Sequence, residues 1–216
     1  LDSVFIGIES GNKPDLKLYG KTATLAENIQ AIYILNKLEI ACSIGFIMFN
    51  PYSDFIRLYD NLKFLEASEV LITPYLLNHK LWLFNGTPIY KKVSRDRLLK
   101  NSADIPLTNG FLYNFMDTRI HNAWDALFAL DSHPVNFLRI DHVFSFYRFM
   151  SSEDSIFRRR DSVKKLGAHL QKFKKESRRH LIPYTKNVLQ CAADGRHPKE
   201  VLADDEAILR QRLTQA

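Results

Sequence analysis

The chain opens on a short apolar run, Ser3 to Ile8, that stops at Gly7-Ile8-Glu9-Ser10-Gly11-Asn12. A run without polar alternation that ends at glycines predicts a strand covered on both faces. From Thr24 to Leu38 the apolar residues Leu25, Ile29, Ile32 and Leu35 recur at spacings of 4, 3 and 3. Thr24, with Glu27 three residues on, reads as the capping box of an amphipathic helix. Ile40 to Phe49 is again almost continuously apolar and is stopped by Asn50-Pro51-Tyr52-Ser53, after which Phe55, Leu58, Leu62 and Leu65 repeat with helical period. Val70 to Tyr75 predicts a third buried strand, with Pro74 tolerated at its end. The expected order is βαβαβ, with parallel strands near 3–8, 41–48 and 69–75.

Three strands do not close a barrel, and beyond Lys92 the alternation stops. Phe111 to Phe115, Trp124 to Leu130 and Phe137 to Phe149 are aromatic and apolar, with helical spacing at best. Pro106 and Asn109-Gly110 mark a loop before this half, and Asp194-Gly195-Arg196-His197-Pro198 separates a last helix, near Glu200 to Leu213, from a basic one. The expected fold class is α/β: a partial parallel (β/α) barrel, TIM-like, over 1–92, followed by a mostly helical accessory region over 93–216.

Charge sharpens the picture of that second half. The net charge of +6 matches the excess in residues 151–180, where ten Lys and Arg meet four Asp and Glu. Val163, Leu166, Leu170 and Phe173 form an apolar stripe there, leaving Lys164, Lys165, Lys172, Lys174, Lys175, Arg178 and Arg179 mostly on other faces. Such a block is a solvated helix face, or else a surface for nucleic acid or an acidic protein. The most apolar window, Ala31 to Phe49, is interrupted by Asn36, Lys37 and Glu39, so no membrane span is expected. Two distant cysteines, Cys42 and Cys191, predict neither a disulfide framework nor a zinc site and fit a reducing cytoplasm. The first residues carry neither a methionine nor a basic leader, so the chain reads as a fragment of a longer protein.

In parallel α/β folds ligands bind at the carboxyl ends of the strands. The residues to watch are therefore Glu9 to Asn12, Asn50 to Ser53 and Pro74 to Asn78. Glu9 can accept hydrogen bonds from ribose hydroxyls or an ammonium, with glycines beside it letting a ligand approach. Equally, Glu9 can cap the following turn while Gly11 supplies its φ angle. The histidines show no paired ligand spacing, and no Ser/His/Asp signature, phosphate-binding glycine loop or HExxH is present.

Four ordered motifs nevertheless resemble the radical SAM enzymes. Val4-Phe5-Ile6-Gly7-Ile8-Glu9-Ser10-Gly11 is similar to the strand signature that ends in Gly-x-Glu/Gln-Ser, and Gly20-Lys21 stands where that family carries Gly-Arg or Gly-Lys before the next helix. Gly45 to Pro51 resembles the following strand motif, with Phe49 where many members have glycine. Thr73-Pro74-Tyr75 and Asn85-Gly86-Thr87-Pro88-Ile89-Tyr90 resemble the next strand and the Gly-Thr-Pro-Leu/Ile-Tyr segment after it. The style is that of members with a cobalamin-binding domain.

The resemblance implies that Glu9 and Ser10 contact the ribose or methionyl part of S-adenosylmethionine and that Lys21 meets its carboxylate, while Gly45, Ile47 and Tyr75 lie along the adenine. The family's CxxxCxxC loop is missing, so a [4Fe-4S] cluster would depend on the upstream part of a parent chain. Two functions follow as expectations. One is the SAM-binding portion of a radical SAM enzyme acting on a small molecule or peptide, with cobalamin as a further cofactor. The alternative is a non-catalytic module that uses the basic helix to hold nucleic acid or an acidic partner.

Overall fold

The computed structural model describes residues 3–38, 40–100, 110–131, 140–151 and 155–215. Strands β1 (Ser3–Glu9) and β2 (Ala41–Phe46) pair in parallel, with Val4 opposite Cys42 and Gly7 opposite Gly45. Between them run α1 (Lys13–Leu18) and α2 (Leu25–Lys37). The capping box that opens α2 is formed as its sequence requires: Thr24 Oγ1 accepts the Glu27 N–H at 3.2 Å, and Glu27 Oε2 accepts the Thr24 N–H at 2.7 Å. Helix α3 (Phe55–Ala67) starts on the Asp54 carboxylate and buries Leu58, Leu62 and Leu65 of its predicted stripe, with Phe55 half-buried against the core.

The third strand is not formed. Residues 70–73 have no regular structure, and Pro74–Asn78 is a helical turn, α4. Thr73 Oγ1 accepts the Leu76 N–H at 3.2 Å, and Pro74 occupies the first helical position, where its missing N–H costs nothing. Thr-Pro is thus a helix start that the apolar count read as a strand end. The chain rejoins the sheet direction only at His79 to Leu81. There Lys80 bridges Phe49 in the parallel sense, Met48 N–H donates to His79 C=O at 3.0 Å and Leu81 N–H donates to Phe49 C=O at 2.8 Å. Among the described residues the sheet proper has two strands, so the observed class is a mostly helical α/β fold around a small parallel sheet.

The second half is mainly helical, in α5 (Pro88–Arg95), α6 (Arg119–Asp131), α7 (Ile140–Ser151), α8 (Asp161–Ala193), α9 (Pro198–Val201) and α10 (Ala203–Gln215). Residues 111–115, expected to be helical, are extended and bridge Leu83 and Leu99 in the antiparallel sense. Their burial alternates with the period of a strand: Tyr113 and Phe115 are inside while Leu112 and Met116 are exposed. The loop expected at Pro106 and Asn109, and the start of the Phe137 stretch, lie outside the described residues. One buried cluster takes in Ile8, Phe46 and Leu62 from the first half and Leu127, Val188 and Leu213 from the second. Within it Phe46 stacks on Phe64 at 6.0 Å, each ring worth about 1.5–3 kcal/mol of burial. Among the described residues no helix is long and apolar enough to cross a membrane.

Arg178 does not face water as its place in the basic block suggests. Its guanidinium reaches from α8 to the end of α3 and donates to the carbonyls of Leu65 at 2.9 Å, Glu66 at 2.8 Å and Val70 at 2.9 Å, and to that of Ser68. The last carbonyls of a helix have no partner within it, and here one side chain satisfies them. Burial lowers the Arg178 pKa, with Glu66 and Glu69 opposing the shift. Replacing Arg178 with Met leaves these carbonyls unpaired and is expected to cost about 2–4 kcal/mol in urea unfolding, against less than about 0.5 kcal/mol for exposed Lys175→Met. Equal effects of the two substitutions would remove the capping role.

Candidate functional site

The carboxyl end of β1 leaves the sheet through a strained turn. The register slips between Gly7 and Glu9, Glu9 takes a left-handed φ of 64°, and Ser10 N–H donates back to Ile8 C=O at 2.8 Å. A side chain other than glycine held this way costs about 1–3 kcal/mol, a cost met when the surroundings fix it and common where a ligand is gripped. The turn folds the Glu9 carboxylate back over Gly7. A methyl group on Gly7 would sit 2.6 Å from Glu9 Oε1 and 3.2 Å from Lys21 Nζ, so a larger residue there would push the ends of these two flexible side chains aside. Gly20, at φ 69°, ends α1, and Lys21 then brings its ammonium 3.0 Å from Glu9 Oε1.

A buried amide holds this turn in place. Asn61 of α3 accepts from Ser10 Oγ at 2.8 Å, Gly11 N–H at 2.7 Å and Asn12 Nδ2 at 3.1 Å, and donates to Met48 C=O at 3.2 Å. Asn12 also donates to the fully buried Asp15 carboxylate at 2.8 Å, which Arg57 meets at 3.1 Å. Gly11 is needed for closeness rather than for its φ angle: a Cβ there would lie 2.9 Å from Phe64 Cγ and 3.0 Å from Asn61 Cα.

Beside the turn lies a cavity of about 410 Å³ bordered by Glu9, Gly45, Ile47 and Tyr75, four of the residues expected to bind the cofactor. Lys21 joins them through the Glu9 carboxylate. Ser10 does not: its hydroxyl is buried and given to Asn61, so it positions the turn rather than facing the cavity. Phe5, 71% exposed, lies across Gly45, where a Cβ would come within 2.8 Å of its ring. Phe49, the departure from the family pattern, is fully buried and packs edge-on against Phe115 at 6.2 Å, away from the cavity.

Sequence reasoning missed two residues of this wall, His79 and Trp82. Tyr75 stacks on His79 at 5.1 Å, and Trp82 meets the His79 ring edge-on at 5.9 Å. His79 Nδ1 lies 2.7 Å from Phe46 C=O, and since a carbonyl only accepts, Nδ1 carries the hydrogen and Nε2 keeps its lone pair. Burial lowers the His79 pKa and raises that of Tyr75, so both rings stay neutral at physiological pH. The signal was Thr73-Pro74: read as a helix cap, it moves the strand-like segment to residues 79–81.

Lys80, next along that extended segment, points away from His79. Its ammonium sits 3.7 Å from the Trp124 ring centre, and Trp124 is fixed by donating Nε1–H to Asn78 C=O at 3.0 Å. Burial, with a smaller contribution from Lys100, brings the Lys80 pKa down to about 8.

Among the described residues no three His, Cys, Asp or Glu side chains converge as metal ligands. Cys42 lies in β2 and Cys191 is buried in α8, so the cysteines present do not fit a [4Fe-4S] cluster. The donor set does fit S-adenosylmethionine: at the cavity a carboxylate for hydroxyls or an ammonium and an aromatic and glycine-lined slot for a base, and beside it, paired with Glu9, the Lys21 ammonium for a carboxylate.

Fold and site together define an α/β protein with a cleft at the ends of its parallel strands, and the comparisons with known proteins can be set beside that. The chain is 37% identical over 110 residues to 4'-phospho-dehydrooxetanocin synthase of Priestia megaterium, an alignment covering 43% of this chain and 15% of that protein. Its fold matches the cobalamin-dependent S-adenosylmethionine radical enzyme OxsB with a TM-score of 0.64 at 21% identity, over 99% of this chain and 37% of the other. No protein-family model matches. The chain therefore spans only a minor part of each relative, and both relationships support the radical SAM resemblance carried by residues 3–90.

Lys80 gives the site a measurable pH signature. The folded chain releases its proton near pH 8, the unfolded chain near about 10.4, so between these values the unfolded state binds more protons and stability rises with pH. The stability of the native chain relative to Lys80→Met, from urea unfolding, is expected to climb between about pH 8 and 10.5. A flat or falling difference across that window would show that burial does not depress this lysine.

Proposed function

We propose that this chain forms the S-adenosylmethionine-binding portion of a radical SAM enzyme, within a partial (β/α) barrel that further chain completes. The observation that carries the reading is the Glu9–Lys21 ion pair at the cavity: two motif residues twelve apart in sequence meet at 3.0 Å, beside Gly45, Ile47 and Tyr75. Glu9 takes the ribose hydroxyls or the methionyl ammonium of the ligand, and Lys21 its carboxylate. Tyr75, flattened against His79, offers the face on which the adenine lies, with Gly45 and Ile47 along its edge. S-adenosylmethionine supplies the sulfonium carbon–sulfur bond that radical enzymes of this type cleave. The cluster that delivers the electron is assigned to residues outside this chain, and cobalamin to the whole enzyme on the strength of the neighbour's name. The substrate is proposed to be a small molecule.

Strain makes the test specific. Glu9→Gly relieves the left-handed backbone and is expected to leave the melting temperature unchanged or raised, yet to weaken S-adenosylmethionine binding at least tenfold by calorimetry. Lys21→Met and Tyr75→Ala should each lower affinity severalfold. A native chain that binds no S-adenosylmethionine, or a Glu9→Gly chain that binds it equally well, would sink the proposal.

A further inference from the structure

Behind the aromatic wall of the cleft lies a second cavity system. Tyr75, His79 and Trp82 also border a cavity of about 310 Å³, which shares Lys80, Tyr113 and Trp124 with a third of about 710 Å³. The third cavity is bordered by Lys80, Lys100, Arg119 and His121, with no carboxylate among its described lining residues. Arg119 is already committed, to Asp117 at 2.8 Å and to Ala193 C=O at 3.0 Å. Lys80 and Lys100 make no ion pair among the described residues, and Lys100 also borders an open depression with Arg97. Asp131 borders the middle cavity only.

The Lys80 ammonium is packed among three rings, 3.7 Å from the Trp124 centre, 5.6 Å from Tyr113 and 5.9 Å from Phe115. Cation–π attraction returns about 2 kcal/mol at best and offsets only part of the desolvation of this half-buried ammonium, so an anion brought beside it would be held favourably. Asn78 also borders the middle cavity, and its buried Nδ2 has no hydrogen-bond partner among the described residues. The same cavity offers aromatic faces, with Trp124 stacked on Phe128 at 5.0 Å and Trp82 48% exposed. Two ammonium groups match a dianion better than a single carboxylate, which selects a phosphate monoester.

We propose that Lys80 and Lys100 hold the phosphate of a second small molecule whose planar, apolar body lies in the middle cavity, across the Tyr75–His79–Trp82 wall from the cofactor cleft. Its role as the reacting partner rests on the proposed radical SAM function; the anion site itself does not.

Phenyl phosphate is the probe, titrated calorimetrically into the chain beside its two halves, phenol and inorganic phosphate. Phenyl phosphate is expected to bind at least tenfold tighter than either half. Lys80→Met should weaken it at least tenfold and Lys80→Arg less, while Lys100→Met, an exposed position with no bearing on folding, should weaken it severalfold. S-adenosylmethionine affinity should not change in any of these chains. Failure of the native chain to bind phenyl phosphate, or unchanged binding by Lys100→Met together with Lys80→Met, would overturn the site. Loss of S-adenosylmethionine binding with phenyl phosphate binding intact would instead overturn only the cofactor reading.

Discussion

The side-chain amide of Asn61 is the constraint on which the cleft depends. It stands on the buried face of α3, between Leu58 and Leu62, and is itself fully buried. A buried amide is stable only if its donors and acceptor are used, and this one joins three groups of the Ser10–Asn12 turn to the carbonyl of Met48 beyond β2. The ends of two parallel strands are thereby fixed to one helix. Fixing them allows Glu9 to remain left-handed, because relaxing its φ would break the Ser10 and Gly11 bonds together. Geometry at the cavity is thus set by a residue that never touches it.

Helix α8 supports the same helix from the other end. Arg178 gathers the carbonyls that close α3, and Lys186 adds an ion pair to Glu66 at 2.9 Å whose contribution, at an exposed position, is small. Asn61 near the middle and Arg178 at the close leave α3 little freedom to shift. The two halves of the chain are energetically one where the cleft is concerned. This also spends Arg178, which the charge pattern had offered to an outside partner.

Much of this was legible in the sequence where local chemistry and burial agree. Thr24 with Glu27 announced α2, and the apolar runs ending at Gly7 and at Asn50-Pro51 announced β1 and β2. Glu9 and Lys21 were grouped through a family motif, not by spacing, since the bulge and the Gly20 turn that bring them together have no signature in hydrophobicity. Ser10 was placed in the site because a motif records that a residue matters without saying whether it faces ligand or scaffold. Asn61 carries no signature of its own in the sequence beyond its position inside the Leu58–Leu62–Leu65 stripe. At Val70 to Tyr75 composition favoured a strand, and the Thr-Pro cap prevailed because a proline at the first helical position sacrifices no hydrogen bond.

That same displacement of the third element decides the chemistry of both cavities. An extended segment sends successive side chains to opposite faces, so with residues 79–81 alongside Phe49, His79 turns toward the cleft and Lys80 toward Trp124. A neutral ring with a fixed tautomer then borders the strand-end cleft, while the cation stays out of it and turns to Trp124, the two side chains meeting only at the middle cavity. Had the strand lain at residues 70–75, the positions at its end would be Leu76 and Leu77, both buried and apolar, and neither space would carry a polar group from this segment. The hydrogen bonds of Met48 to His79 and of Leu81 to Phe49 fix that register. Since a slip of one residue would exchange the imidazole and the ammonium, the pairing of Phe49 with Lys80 specifies that the imidazole, and not the ammonium, borders the strand-end cleft.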